Sequence, residues 1–230
     1  MMDLSLFRIR AFAAGMASNL LASVARGGLS LVLVFYFQGV LLLDAFTAGL
    51  MLIPFSVAFV TVGPLSGYLS DRFGSRGFAT VGLLVVAVAL FWLGLFPFGD
   101  YAHIVIPMVI AGIGGGMFIA PNIASIMNAT PVERRGVASG MSSTLINTGF
   151  LLSLGMAFAV MATSVPTSVL QQIFSGSTIP ISPIVIDSFV GSLHGLFLLM
   201  GFISLFSAVP AFMAKRPRAK YEPVPAAESD

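Results

Sequence analysis

The chain has 230 residues, 57% of them hydrophobic and 9% charged, with a formal net charge of +2. A soluble domain carries about 25% charged residues, and a chain this short cannot enclose so much apolar surface in a core of its own. A soluble globular domain is therefore excluded, a body solvated by lipid is implied, and the small net charge gives no reason to expect a nucleic-acid partner.

A membrane helix needs about 20 mostly apolar residues, and the gaps between charged residues supply six such stretches. The first ten residues are polar and lead into a span too long for a signal peptide and without a cleavage signature. The spans are expected at roughly 12–38, 46–70, 78–98, 104–128, 137–163 and 188–213. Pro97 and Asp100 separate the third from the fourth, and Pro131 precedes the fifth. Pro166, Gly176, Pro180 and Pro183 point to an extended loop before the sixth. The tail 215–230, with three prolines and mixed charge, reads as disordered. The expected division is thus a six-span body over 1–214 and that tail.

Basic residues fix the expected orientation. Arg8, Arg10, Arg72, Arg76, Arg134, Arg135, Lys215, Arg216, Arg218 and Lys220, ten of the eleven, fall on one side of a six-span arrangement. The other side receives Asp44, Asp100, His103 and Asp187. The positive-inside rule then puts both termini in the cytoplasm of a multi-pass cell-membrane protein.

The turn between the second and third spans reads Gly67-Tyr68-Leu69-Ser70-Asp71-Arg72-Phe73-Gly74-Ser75-Arg76. Gly67 is suited to close backbone approach, Gly74 to a turn, Asp71 to the positive end of a helix, and Arg72 and Arg76 to carboxylates or lipid phosphates. This segment resembles the G-x-L-x-D-R-x-G-x-R signature of the major facilitator superfamily, which lies between the second and third helices of each six-helix half. Arg26 to Gly39, Ala48 to Pro54, Gly112 to Asn122 and Arg135 to Gly140 are similar to the C-terminal half of the fourteen-span drug:proton antiporters. The resemblance runs from about Leu6 to Met161.

The resemblance implies an all-α, integral membrane six-helix bundle of two inverted three-helix repeats, half of a major facilitator fold. It implies transport of small molecules by alternating access, with drug or hydrophobic-compound efflux coupled to protons, and no enzymatic activity or cofactor. The expected partners are membrane lipids, a small-molecule substrate and a second six-helix half or a second copy. The alternative is a non-transporting membrane fragment or accessory subunit. The chain departs from the family in having six spans, and no Asp or Glu lies in mid-membrane to carry a proton.

Arg26 stands in the first span, where a charge costs several kcal/mol and must face protein or water. It is a candidate for the substrate pathway or for a structural pair, and Gly27 and Gly28 beside it could let the backbone bend. Gln38, Asn122 and Asn147 are further pathway candidates. Asn122 could instead bond carbonyls that Pro121 leaves free, and the serines around Asn147 could be helix–helix glue. Ser139, Ser143 and Asn147 share one face of the fifth span. Gly112, Gly116 and Ala120 form a small-residue stripe, and the run Gly114 to Gly116 lacks the lysine and strand of a phosphate loop. His103 and His194 stand too far apart in sequence to suggest a metal site. The cytoplasmic gate is expected to comprise Gly67, Asp71, Arg72, Gly74, Arg76, Glu133 and Arg135, with Arg72 or Arg76 within salt-bridge reach of Glu133.

Overall fold

A computed structural model of the chain describes residues 4–98, 100–164 and 183–214. Among these residues every regular element is helical, and six spans are long and apolar enough to cross a membrane. The first span is divided into α1 (Arg10–Gly27) and α2 (Leu29–Gly39), and the second into α3 (Ala45–Met51) and α4 (Ile53–Phe73). The remaining four are single helices: α5 (Ser75–Leu95), α6 (Tyr101–Asn128), α7 (Arg135–Ser164) and α8 (Pro183–Met213).

The breaks have local causes. Pro54 stands at the start of α4, and without an N–H it cannot continue the ladder from α3. Asp44 caps α3: its carboxylate accepts from the Thr47 hydroxyl at 2.6 Å and the Thr47 N–H at 3.0 Å. These bonds hold Asp44 below the usual carboxylate range. The cap is therefore intact at neutral pH and is lost only as pH falls through that lowered value. Gly74 joins α4 to α5 at φ 104°, a left-handed conformation that strains any residue with a Cβ. Phe96 is extended, as the residue before a proline tends to be, so α5 ends at Leu95 rather than at 98.

Two expectations about the loop and tail meet different ends. Pro183 was expected in the loop, but it opens α8, a position where the missing N–H costs nothing. The other loop markers, Pro166, Gly176 and Pro180, and the tail 215–230 lie outside the described residues.

Helix pairing follows a regular plan. The fourth span packs on the second and third, the first packs on the fifth and sixth, and the third packs on the sixth. The first and fourth also touch. Exchanging spans one, two and three for four, five and six maps this pattern onto itself. A unit of three spans crosses the membrane an odd number of times, so its repeat enters from the opposite face. The pattern is that of two inverted three-helix repeats.

Small residues set the closest approaches. A Cβ on Gly82 of α5 would meet the Gly114 carbonyl oxygen of α6 at 2.6 Å, and one on Gly114 would meet the Gly82 oxygen at the same distance. Gly112 and Gly116 seat α6 on α4, where added Cβ atoms would meet the Phe55 and Phe59 carbonyl oxygens at 2.5 and 2.9 Å. Buried polar links join α4 to α6 and α8 to α5. Ser66 donates to the Gly116 carbonyl at 2.8 Å and Ser204 to the Leu83 carbonyl at 2.9 Å. Such bonds contribute about 0.6 kcal/mol each inside a membrane.

Candidate functional site

The first span carries its charge at its break. Arg26 is the penultimate residue of α1, and the helix stops at Gly28 before α2 begins. A Cβ on Gly27 would meet the Phe150 backbone at 2.9 Å, and one on Gly28 would meet the Ser153 hydroxyl at 2.9 Å. The two glycines therefore let the break press against α7. Ser153 completes the fit by accepting the Gly28 N–H at 2.7 Å.

A half-open cavity of about 190 Å³ lies beside this break, lined by Ser23, Arg26, Gly27, Ser30, Phe55, Ile146 and Phe150. Its walls come from α1, α2, α4 and α7. The Arg26 guanidinium sits 5.3 Å from the centre of the Phe59 ring, an interaction of about 0.5–2 kcal/mol. Among the described residues no carboxylate lines the cavity, so the ring offsets only part of the cost of a charge at this depth.

The other pathway candidates separate. Asn122 is 2% exposed, and its amide donates to the Gly15 carbonyl of α1 at 3.3 Å. It fastens α6 to α1 rather than lining the cavity, and it bonds neither carbonyl that Pro121 frees on its own helix. Asn147 is exposed, with Ser139 and Ser143 exposed on the same face of α7. Gln38 is half-buried in the last turn of α2, away from the cavity. Ser142, one residue off the exposed face, is buried and accepts from the Asn19 amide at 2.8 Å.

At the turn between α4 and α5, the expected ion pair with Glu133 is not formed. Arg72 lies over the Tyr68 ring at 5.4 Å, and Arg76 stacks on Phe212 of α8 at 3.8 Å. The physical reason is the neighbour each guanidinium finds: an aromatic face lies beneath both, while Glu133 sits exposed on a separate short turn, Val132–Arg134. Gly67 also differs from expectation, since an added Cβ would touch only Ala120 at 3.6 Å, an ordinary contact. Asp71 is exposed near the end of α4, and Arg135 is exposed at the start of α7. On the same side Arg134 donates to the Ser5 hydroxyl at 2.9 Å.

Ser23, Ser30, Phe55, Phe59 and Phe150 complete the site without having been singled out from sequence. The serines could have been found there: Ser23, Arg26, Gly27 and Ser30 recur at i, i+3, i+4 and i+7, one helical face. The phenylalanines could not, because the chain has 21 and nothing in sequence separates the cavity-facing ones.

Two spans flanking the cavity are little covered among the described residues. Only 6% of the apolar window of the second span and 22% of that of the fifth are buried, against 44% or more in the other four.

Comparison with known proteins gives a consistent result. A family model described as Major Facilitator Superfamily matches residues 11–229. The chain is 34% identical over 145 residues to an uncharacterized transporter, YebQ, of Escherichia coli, covering 63% of this chain and 32% of that protein. It is 31% identical over 162 residues to the multidrug resistance protein Stp of Mycobacterium tuberculosis, covering 70% of this chain and 30% of that one. Among solved structures it is similar to the fucose:proton symporter FucP of Escherichia coli, with a TM-score of 0.67 at 17% identity over 90% of this chain and 49% of that one. The chain thus spans about a third of the length of these curated relatives and half that of the solved one.

Proposed function

The chain belongs to the major facilitator superfamily, and from that premise we propose that it forms the C-terminal half of a small-molecule transporter. The proposed activity is efflux of drugs or other hydrophobic compounds, coupled to protons, by alternating access. The observation that carries this reading is the half-open cavity beside Arg26, flanked by two spans that are little covered among the described residues. A cavity with one side missing is the expected form of half a transport path. The drug-resistance relative supports the substrate class.

The missing wall is a second six-helix half or a second copy of this chain, docked on the faces of α4 and α7. The exposed Ser139, Ser143 and Asn147 then border the path at that interface, and the turn from Gly67 to Arg76, with Glu133 and Arg135, forms the cytoplasmic gate. Both termini face the cytoplasm of the cell membrane, in keeping with the one-sided distribution of basic residues. The charged residues that carry protons belong to the missing wall, since the described carboxylates stand at helix ends or between helices: Asp44, Asp71, Asp100, Glu133 and Asp187. That same distribution is the one observation favouring the alternative, a non-transporting accessory subunit.

The test is compound accumulation in inverted membrane vesicles containing the chain and a second half. Accumulation that collapses on adding a protonophore is the expected result. Accumulation unaffected by it removes the proton coupling, and none at all favours the accessory reading.

A further inference from the structure

The interruption of the first span brings three electropositive or hydrogen-bond-donating side chains to one cavity. Arg26 lines the cavity, whose lining holds no carboxylate among the described residues. Ser23, also lining it, is 3% exposed, and its hydroxyl has no hydrogen-bond partner. A buried hydroxyl left unpaired is uncommon and calls for an explanation. Ser30 adds a second hydroxyl to the same wall. The Gly28 N–H at the break is taken by Ser153.

A cation, an unpaired buried hydroxyl and a second hydroxyl on one wall suit an anion. The remainder of the wall is apolar: Phe55, Ile146 and Phe150. We propose that this pocket is a subsite for the anionic head of an amphipathic organic acid, a carboxylate on an aromatic or aliphatic body. Arg26 pairs with the head, Ser23 and Ser30 donate to it, and the phenylalanines hold the body. The proposal rests on the transporter reading above and narrows its substrate class from hydrophobic compounds in general to organic anions.

The test is binding of radiolabelled 1-naphthoate to the full chain in phosphatidylcholine nanodiscs, in competition with neutral 1-naphthamide and cationic 1-naphthylmethylammonium. The expected result is naphthoate binding at least tenfold tighter than either competitor. Arg26→Gln abolishes that preference, Arg26→Lys keeps part of it, and Ser23→Ala weakens naphthoate severalfold without changing the size-exclusion profile. Should Arg26→Gln not fold, the lysine and Ser23 variants carry the comparison. Equal binding of acid and amide, no binding of the acid, or full naphthoate affinity in the Arg26 and Ser23 variants overturns the proposal. Loss of the anion preference in vesicles that still move neutral or cationic compounds sinks the anion site and leaves the transport reading standing. Arg26-dependent naphthoate binding without flux does the reverse.

Discussion

Ser153 stabilises the break in the first span through one bond, its oxygen accepting the Gly28 N–H at 2.7 Å. Replacing it by alanine leaves the buried Gly28 N–H only the Arg26 carbonyl two residues back, a loss of about 1–3 kcal/mol. Ser153→Ala is therefore expected to lower the thermal unfolding midpoint in detergent, and an unchanged midpoint would mean that the break does not need this partner. The glycines divide in the same way. Gly82→Ala or Gly114→Ala drives a methyl into a carbonyl oxygen 2.6 Å away and should cost about 1–3 kcal/mol, as overpacking does. Gly67→Ala meets only Ala120 at 3.6 Å and should fold with its stability unchanged. A folded Gly67→Ala with reduced flux would assign that glycine to gating rather than to packing. Which glycine is forced was not legible in the sequence, because Gly67 and Gly82 look alike until their neighbours across the interface are known. The Arg76 stack on Phe212 was hidden for the same reason: the two lie more than a hundred residues apart in the chain, and any apolar ring could have filled that place.

At the scale of the helix, charge-free runs located the spans because a bilayer tolerates few charges in a span and helices satisfy their own backbone. The ends came out less well. Proline and glycine mark interruptions, but whether one lies inside a helix, as Pro64, Pro107, Pro121 and Pro210 do, or breaks it, as at Pro54, depends on packing. The fifth span shows how far polarity can be read. Its serines and threonines signalled an unusual helix, and the structure divides them: Ser142 and Ser153 are buried and hydrogen-bonded to α1 and the start of α2, while Ser139, Ser143 and Asn147 are exposed. If the exposed face docks a second half, a thiol there should change its accessibility on assembly. The chain has no cysteine, so Asn147→Cys supplies a single thiol. Maleimide should label it readily in the chain alone and poorly once a second half is bound. Equal labelling in both states would place the interface elsewhere.

At the scale of the whole molecule, the inverted repeat explains why the bundle has an inside and an edge. The first and fourth spans occupy equivalent central places, and the second and fifth flank them with little cover of their own. The number of spans was legible in the sequence, because it follows from the cost of charge in lipid. The sequence did not reveal the pairing of the helices or the cavity, which depend on contacts between distant segments. Sidedness has its own test. A membrane-impermeant maleimide added outside intact cells should label Asp100→Cys and not Ser75→Cys, and the reverse pattern would invert the topology.

The measurement that bears most directly on the central claim is compound flux in proteoliposomes, comparing the chain alone with the chain assembled with a second six-helix half, across a panel of organic anions, neutral compounds and lipophilic cations under a pH gradient. The account predicts flux that requires the second wall, whether another half or a second copy, and that dissipating the gradient abolishes. A folded, assembled pair that moves no member of the panel would contradict it.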